Sequence, residues 1–143
     1  MQLSDALDFV STNRNGMLIA LKSNGRPQSS NIAYTMGAGD GAGKILISVT
    51  DGRAKTKNLR RDPRASLHVN RDDFWAYVVI EADVELTPVA TAPGDGTVDQ
   101  LVAYYRSVAG EHDNWDEYRQ AMVDDARLIL KLTPTHAYGM LNR

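Results

Sequence analysis

Apolar residues fall at every second position from Trp75 to Leu86, where Ala76, Val78, Ile80, Ala82, Val84 and Leu86 all share one side. That two-residue repeat predicts a strand with one face in a core. Its other side carries Trp75, Tyr77 and Val79 and then Glu81, Asp83 and Glu85, so half of that face is expected to meet another surface and half to meet water. A hairpin is predicted from Gly16–Lys22 and Pro27–Tyr34, joined through Ser23, Asn24, Gly25 and Arg26, because Asn-Gly supplies the positive φ angles of a tight turn. Further strands are expected over Lys44–Thr50, Ala65–Asn70, Arg127–Leu132 and Ala137–Leu141.

Helical spacing appears in Leu3, Leu7, Phe9 and Val10, again in Val98, Leu101, Val102, Tyr105 and Val108, and in Trp115, Tyr118 and Met122. A short helix is expected near Arg53, closed by Pro63. The strands mostly follow one another without the crossover helix that parallel pairing needs, so the pattern predicts a mainly β (α+β) fold, an antiparallel barrel or sandwich with peripheral helices. The glycine run Gly37–Gly43 opens the strand Ile45–Val49 rather than a helix, which makes it a hairpin loop and not a dinucleotide-binding turn.

With 143 residues and 43% hydrophobic content, the chain is expected to form one domain over residues 1–143. Sixteen Lys and Arg against eighteen Asp and Glu give a net charge of -2, which argues against nucleic acid as a partner. The absence of cysteine excludes disulfides and thiolate chemistry. No apolar run approaches the roughly 18 residues needed to cross a bilayer, and a cytoplasmic location without membrane contact is expected.

One segment departs from this even charge balance. Between Arg53 and Arg64 six basic residues stand against one acid in twelve positions. Backbone N–H groups at a helix N-terminus lack intrahelical partners and carry the positive end of the helix dipole, so a phosphate is stabilised there. Cations in a first turn are disfavoured by that dipole unless an anion offsets them, and Arg53, Lys55 and Lys57 fall there. Arg53 and Lys57 share one helix face, and Lys55 and Asn58 a neighbouring one. Trp75 and Tyr77 are read first as core or dimer-packing aromatics, and alternatively as flat walls of the kind a planar heterocyclic cofactor needs beside its charged tail.

Other chemistries do not assemble. His68, His112 and His136 have no ligand partners at metal-binding spacing, so no metal site is expected. His68 is read as structural or solvent-facing. No serine occupies a nucleophile elbow.

The segments Arg26-Pro-Gln-Ser-Ser-Asn-Ile32, Arg53-Ala-Lys-Thr-Lys-Asn-Leu-Arg-Arg-Asp-Pro-Arg-Ala65 and Ala109-Gly-Glu-His-Asp-Asn-Trp-Asp-Glu-Tyr-Arg-Gln-Ala-Met122 resemble the pyridoxamine 5'-phosphate oxidase-like proteins. Within them the chain is similar to the actinobacterial deazaflavin (F420)-dependent oxidoreductases of the split β-barrel superfamily. The resemblance implies an antiparallel split β-barrel of Greek-key-like topology. It also implies a homodimer with two interfacial cofactor sites, each lined by both subunits. Arg53 and Lys55, with Lys57 and Asn58, would hold the cofactor phosphate, while Ser48 and the Ser30–Asn31 pair would run along the ring. Trp75 and Tyr77 are added as lining residues. Coenzyme F420 is favoured over flavin mononucleotide because Lys57, Arg60, Arg61 and Arg64 supply charge for its oligoglutamate tail. The expected activity is hydride transfer from the reduced deazaflavin to a small unsaturated substrate. The alternatives are an FMN-binding oxidoreductase of the same family and a non-catalytic cofactor carrier. Pyridoxamine phosphate oxidation itself is not expected, since no second Arg/His set is found to clamp that substrate.

Overall fold

A computed structural model describes residues 1–142. Seven strands form one wholly antiparallel sheet: β1 (Asn15–Leu21), β2 (Pro27–Ala33), β3 (Thr35–Met36), β4 (Ile45–Thr50), β5 (Arg64–Asn70), β6 (Tyr77–Leu86) and β7 (Arg127–Met140). Their order across the sheet is β2-β1-β5-β6-β7-β4-β3. The sheet curls into a split barrel, with β2 at one edge and the β4–β3 pair at the other. Four helices accompany it: α1 (Leu3–Ser11), α2 (Ala54–Arg61), α3 (Gly96–Ala109) and α4 (Trp115–Asp124).

The inward side of each strand follows the expected alternation. Val78, Ile80, Ala82 and Val84 of β6 join Leu18, Leu67, Val69, Ile47, Leu128 and Leu130 in the barrel core, closed at one end by Ala6 and Val10 of α1. Each fully buried aliphatic side chain of this set contributes about 1.5–3 kcal/mol of transfer free energy. A second core lies on the outside of the sheet, where Ile129 of β7 packs with Leu101, Val102, Tyr118 and Met122 of α3 and α4. Burial pushes the Tyr118 hydroxyl up to about 12 while it donates to Leu101 O at 2.9 Å. Asp95 starts α3 by accepting from the backbone of Val98 at 2.8 Å, which leaves its own carboxyl below the usual range, held there first by Thr91 N and then by Val98 N.

Beyond shifts of one residue at strand ends, three elements differ from the sequence expectation. The strand predicted to run through Tyr34 ends at Ala33, because Tyr34 turns into the core, donates its hydroxyl to Val10 O and sends Thr35–Met36 to pair with β4 at the opposite edge. The strand predicted from Trp75 begins at Tyr77. Residues Arg71–Ala76 form instead a tight loop, in which Asp73 accepts from Trp75 N at 3.0 Å and from the Arg71 guanidinium at 2.8 and 2.9 Å. The two strands expected at the C-terminal end are one, Arg127–Met140, which passes through Pro134 at a register shift opposite Glu81 and Ala82.

Gly139 sits in β7 at φ 150°, and a Cβ there would stand 2.2 Å from Tyr77 O. Gly139→Ala is therefore expected to destabilise the protein by about 2 kcal/mol or more, through overpacking and backbone strain together. Chemical denaturation of the two proteins measures the difference.

Candidate functional site

Because β2 and β4 do not pair, the barrel has a slit between them. Asn31, Ile32 and Ala33 form one lip and Ser48, Val49 and Thr50 the other, around a cavity of about 330 Å³. Edge strands present backbone N–H and C=O groups that no neighbouring strand satisfies. One side chain bridges the lips: Tyr104 of α3 donates its hydroxyl to Ala33 O at 2.8 Å, and the main chain of Ser48 hydrogen-bonds the same oxygen. Burial pushes the Tyr104 pKa up, so the clip stays protonated. Two further links tie α3 to this side of the barrel, Thr35 to Ser107 through their hydroxyls and Arg14 to Val108 O at 2.8 Å.

Among the described residues, three cations and no carboxylate line the slit. Arg53 is the N-cap residue of α2, extended, with no side-chain cap over the helix end. The helix is anchored where it meets β4 by Thr56, which is fully buried and donates its hydroxyl to Thr50 O at 2.8 Å. Lys55 reaches the slit from the first turn. Its pKa is lowered, first by partial desolvation and then by the charges of Arg53 and Arg127. Arg127 opens β7 opposite Thr50; its Nη1 is 3.5 Å from Ser48 Oγ, and its Nε is buried without a hydrogen-bond partner. The Asp125 carboxylate, 4.0 Å from that Nε, is too distant to satisfy it. Arg53 and Arg127 both act on Lys55 as like charges, and an anion between them would offset that repulsion.

Of the residues expected from sequence, the structure brings Asn31, Ser48, Arg53 and Lys55 into the slit. Ser30 lies one residue along β2, opposite the core residue Leu18, with its hydroxyl buried and unpartnered beside the site rather than in it. Lys57 is exposed further along α2, outside the slit lining, and Asn58 accepts from Arg61 at 3.2 Å. Trp75 and Tyr77 line a separate cavity on the outer face of the sheet, with His68, Phe74 and Met140. Arg60 pairs with Asp51 at 2.6 Å, Arg64 with Asp62 at 2.8 Å, and Arg61 donates to Leu21 O, so these three arginines are engaged within the chain. Arg127 and Tyr104 were not anticipated. The available signal for Arg127 was a charge heading the apolar run Leu128–Leu130; for Tyr104 there was none, since its helical spacing could not show which strand edge it reaches.

The chain is thus an open-edged antiparallel barrel whose slit is lined by Arg53, Lys55 and Arg127. The model of the pyridoxamine 5'-phosphate oxidase family matches residues 4–141, and the chain belongs to that family. Among solved structures, it is similar to a conserved hypothetical protein of Mycobacterium tuberculosis, Rv2991, at 21% identity and TM-score 0.75 over 100% of this chain and 86% of the other. An F420 reductase shares 18% identity at TM-score 0.65 over 87% of this chain and 89% of that one. A FAD-binding protein of Mesorhizobium loti shares 15% identity at TM-score 0.67 over 97% and 92% of the two chains. Similarity at this level establishes the split-barrel fold.

A bound anion would restore the lowered Lys55 pKa. Affinity for a phosphorylated ligand is therefore expected to be full below the pKa of Lys55 in the free protein and to decline as pH rises through it, with proton uptake on binding in that window. Calorimetric titrations in buffers of different ionisation enthalpy measure that uptake, and Lys55→Gln should abolish it.

Proposed function

We propose that the protein is an oxidoreductase that holds the phosphate of a flavin-type cofactor in the slit, coenzyme F420 in the first reading and flavin mononucleotide in the second. The observation that carries this is the convergence of Arg53, Lys55 and Arg127 without a carboxylate, around a buried guanidinium nitrogen that lacks a partner. A phosphate brings about 1.5 to 2 negative charges and three acceptor oxygens, which matches that donor set. Tyr104 links the lips, and the unpaired edges of β2 and β4 offer main-chain groups to the rest of the cofactor.

The preference for F420 rests on the family resemblance and on Lys57, which is exposed and makes no ion pair among the described residues. It does not rest on Arg60, Arg61 and Arg64, whose partners are inside the chain. When bound, the cofactor supplies the two-electron chemistry, and the protein supplies position, charge and exclusion of water. A non-catalytic carrier would bind equally well and show no turnover with any acceptor.

A homodimer is part of this reading. Helices α3 and α4 cover the outside of β7 and β4, but Phe74, Trp75, Tyr138 and Met140 remain 76%, 64%, 47% and 47% exposed on or beside the outer face of β6 and the far half of β7. A second copy of the chain would cover these side chains. Among the described residues, no helix is long and apolar enough to cross a membrane.

Fluorescence titration of the protein with F420 and with FMN tests the cofactor, and tighter F420 binding is expected. Arg53→Ala and Lys55→Ala should each weaken binding by about 1–3 kcal/mol while leaving the fold intact, as lost charge-assisted hydrogen bonds do; unchanged affinity in both would remove the assignment. For the assembly, Trp75→Glu is expected to shift the molecular mass measured by light scattering from dimer to monomer.

A further inference from the structure

Of the three cations in the slit, Lys55 alone can change its chemistry. Arg53 and Arg127 keep their protons at any working pH, whereas a lysine that loses one becomes a nucleophile. Everything that bears on Lys55 favours that loss. Partial desolvation lowers its pKa first, and the charges of Arg53 at the start of α2 and Arg127 at the start of β7 lower it further. The lips add uncharged groups, the Asn31 amide of β2 and the Ser48 and Thr50 hydroxyls of β4, and no carboxylate among the described residues lines the cavity to hold the proton in place. The Tyr104 hydroxyl, which α3 brings to the lips, stays protonated. The other four lysines of the chain, Lys22, Lys44, Lys57 and Lys131, lie outside this lining.

The two arginines form the other half of the site. Arg127 Nε is buried without a hydrogen-bond partner, while its Nη1 lies 3.5 Å from Ser48 Oγ. Arg53 heads α2 in an extended conformation, with no side-chain hydrogen bond capping the helix. Guanidinium groups take phosphate oxygens through charge-assisted hydrogen bonds, and a buried donor left open is completed by such an acceptor. One cavity of about 330 Å³ therefore sets an amine with a weakened hold on its proton beside donors suited to phosphate. The cavity is of a size for a small molecule that carries both an electrophilic carbon and a phosphate.

We propose that the slit takes small phosphorylated aldehydes as reversible covalent ligands, with Arg53 and Arg127 on the phosphate and Lys55 Nζ joined to the aldehyde carbon as an imine. This goes beyond the cofactor reading and does not require it, since it needs only the amine and the two guanidinium groups in one cavity. The neutral Nζ attacks the carbonyl carbon: the C–N bond forms as the C=O π bond opens, and one nitrogen proton passes to the oxygen. The hydroxyl then leaves with the second nitrogen proton as water, and the C=N bond forms. No oxidant or reductant takes part, and water reverses the sequence. The docked phosphate returns part of the basicity that the arginines remove. Holding the aldehyde against Nζ outweighs this, because the attack becomes effectively unimolecular.

The test uses the full chain, with glycolaldehyde phosphate as the probe and glycolaldehyde as its unphosphorylated control. Cyanoborohydride reduces any imine to a stable secondary amine, and peptide mass spectrometry then locates the label. With the phosphorylated probe, Lys55 should be labelled about tenfold or more faster than any other lysine, and glycolaldehyde should label it about tenfold or more slowly than its phosphate does. Labelling of Lys55 should set in at a pH below that of an ordinary lysine. Inorganic phosphate occupies the guanidinium groups and restores the proton, so it should slow labelling at Lys55 and leave the other four sites unchanged. Label spread evenly over the five lysines, or a Lys55 that takes both aldehydes at one rate, would overturn the proposal. Arg127→Gln should remove the preference for the phosphorylated probe, and its persistence in the folded variant would likewise count against the assignment. Unlabelled Lys55 in a protein that binds F420 or FMN would overturn this proposal alone, whereas labelled Lys55 in a protein that binds neither would overturn the cofactor reading alone.

Discussion

The sheet fails to close between β2 and β4, and the site depends on that failure. A closed barrel has no free strand edge and no room for a ligand between neighbouring strands. Here Tyr34 turns the chain into the core, so that β2 and β3 end up at opposite edges although they are consecutive in sequence. A side chain reaches into the gap: the Tyr104 hydroxyl donates to Ala33 O of one lip at 2.8 Å and meets the main chain of Ser48 on the other. The start of α2 and the start of β7 both lie at this gap, and they bring Arg53, Lys55 and Arg127 to a lining that holds no carboxylate among the described residues.

That arrangement costs stability in the unliganded protein. Lys55 is partly desolvated beside two guanidinium groups, and the Arg127 Nε is buried without an acceptor. Structures retain such uncompensated groups where a ligand completes them. The remaining arginines of the basic segment follow the opposite rule, each engaged by a carboxylate or a carbonyl nearby. Charge density along the sequence is thus a poor guide to charge available for binding.

The alternation in β6, the Asn-Gly hairpin and the helical spacings carried the fold, because each is a local pattern with one stable reading. Arg53 and Lys55 were legible for a similar reason, since first-turn cations break a local rule in plain view. Arg127 was not. Its role arises only when β7 pairs with β4 and places it opposite Thr50, a contact between residues 77 positions apart. Trp75 and Tyr77 were read as one face of a strand, whereas Asp73 draws Trp75 into the preceding loop and both side chains line a cavity apart from the slit. His68 shows the same limit: the strand pattern put it on an outer face, and only the positions of Asn70 and Tyr77 show that its ring is fixed.

The central claim is that the slit holds a cofactor phosphate, and a crystal structure of the protein with F420 or FMN bound tests it most directly. The account predicts the phosphate between the β2 and β4 lips, with oxygens about 2.7–3.2 Å from nitrogens of Arg53, Lys55 and Arg127. A phosphate bound elsewhere, with these three side chains left as they are in the free protein, would contradict it.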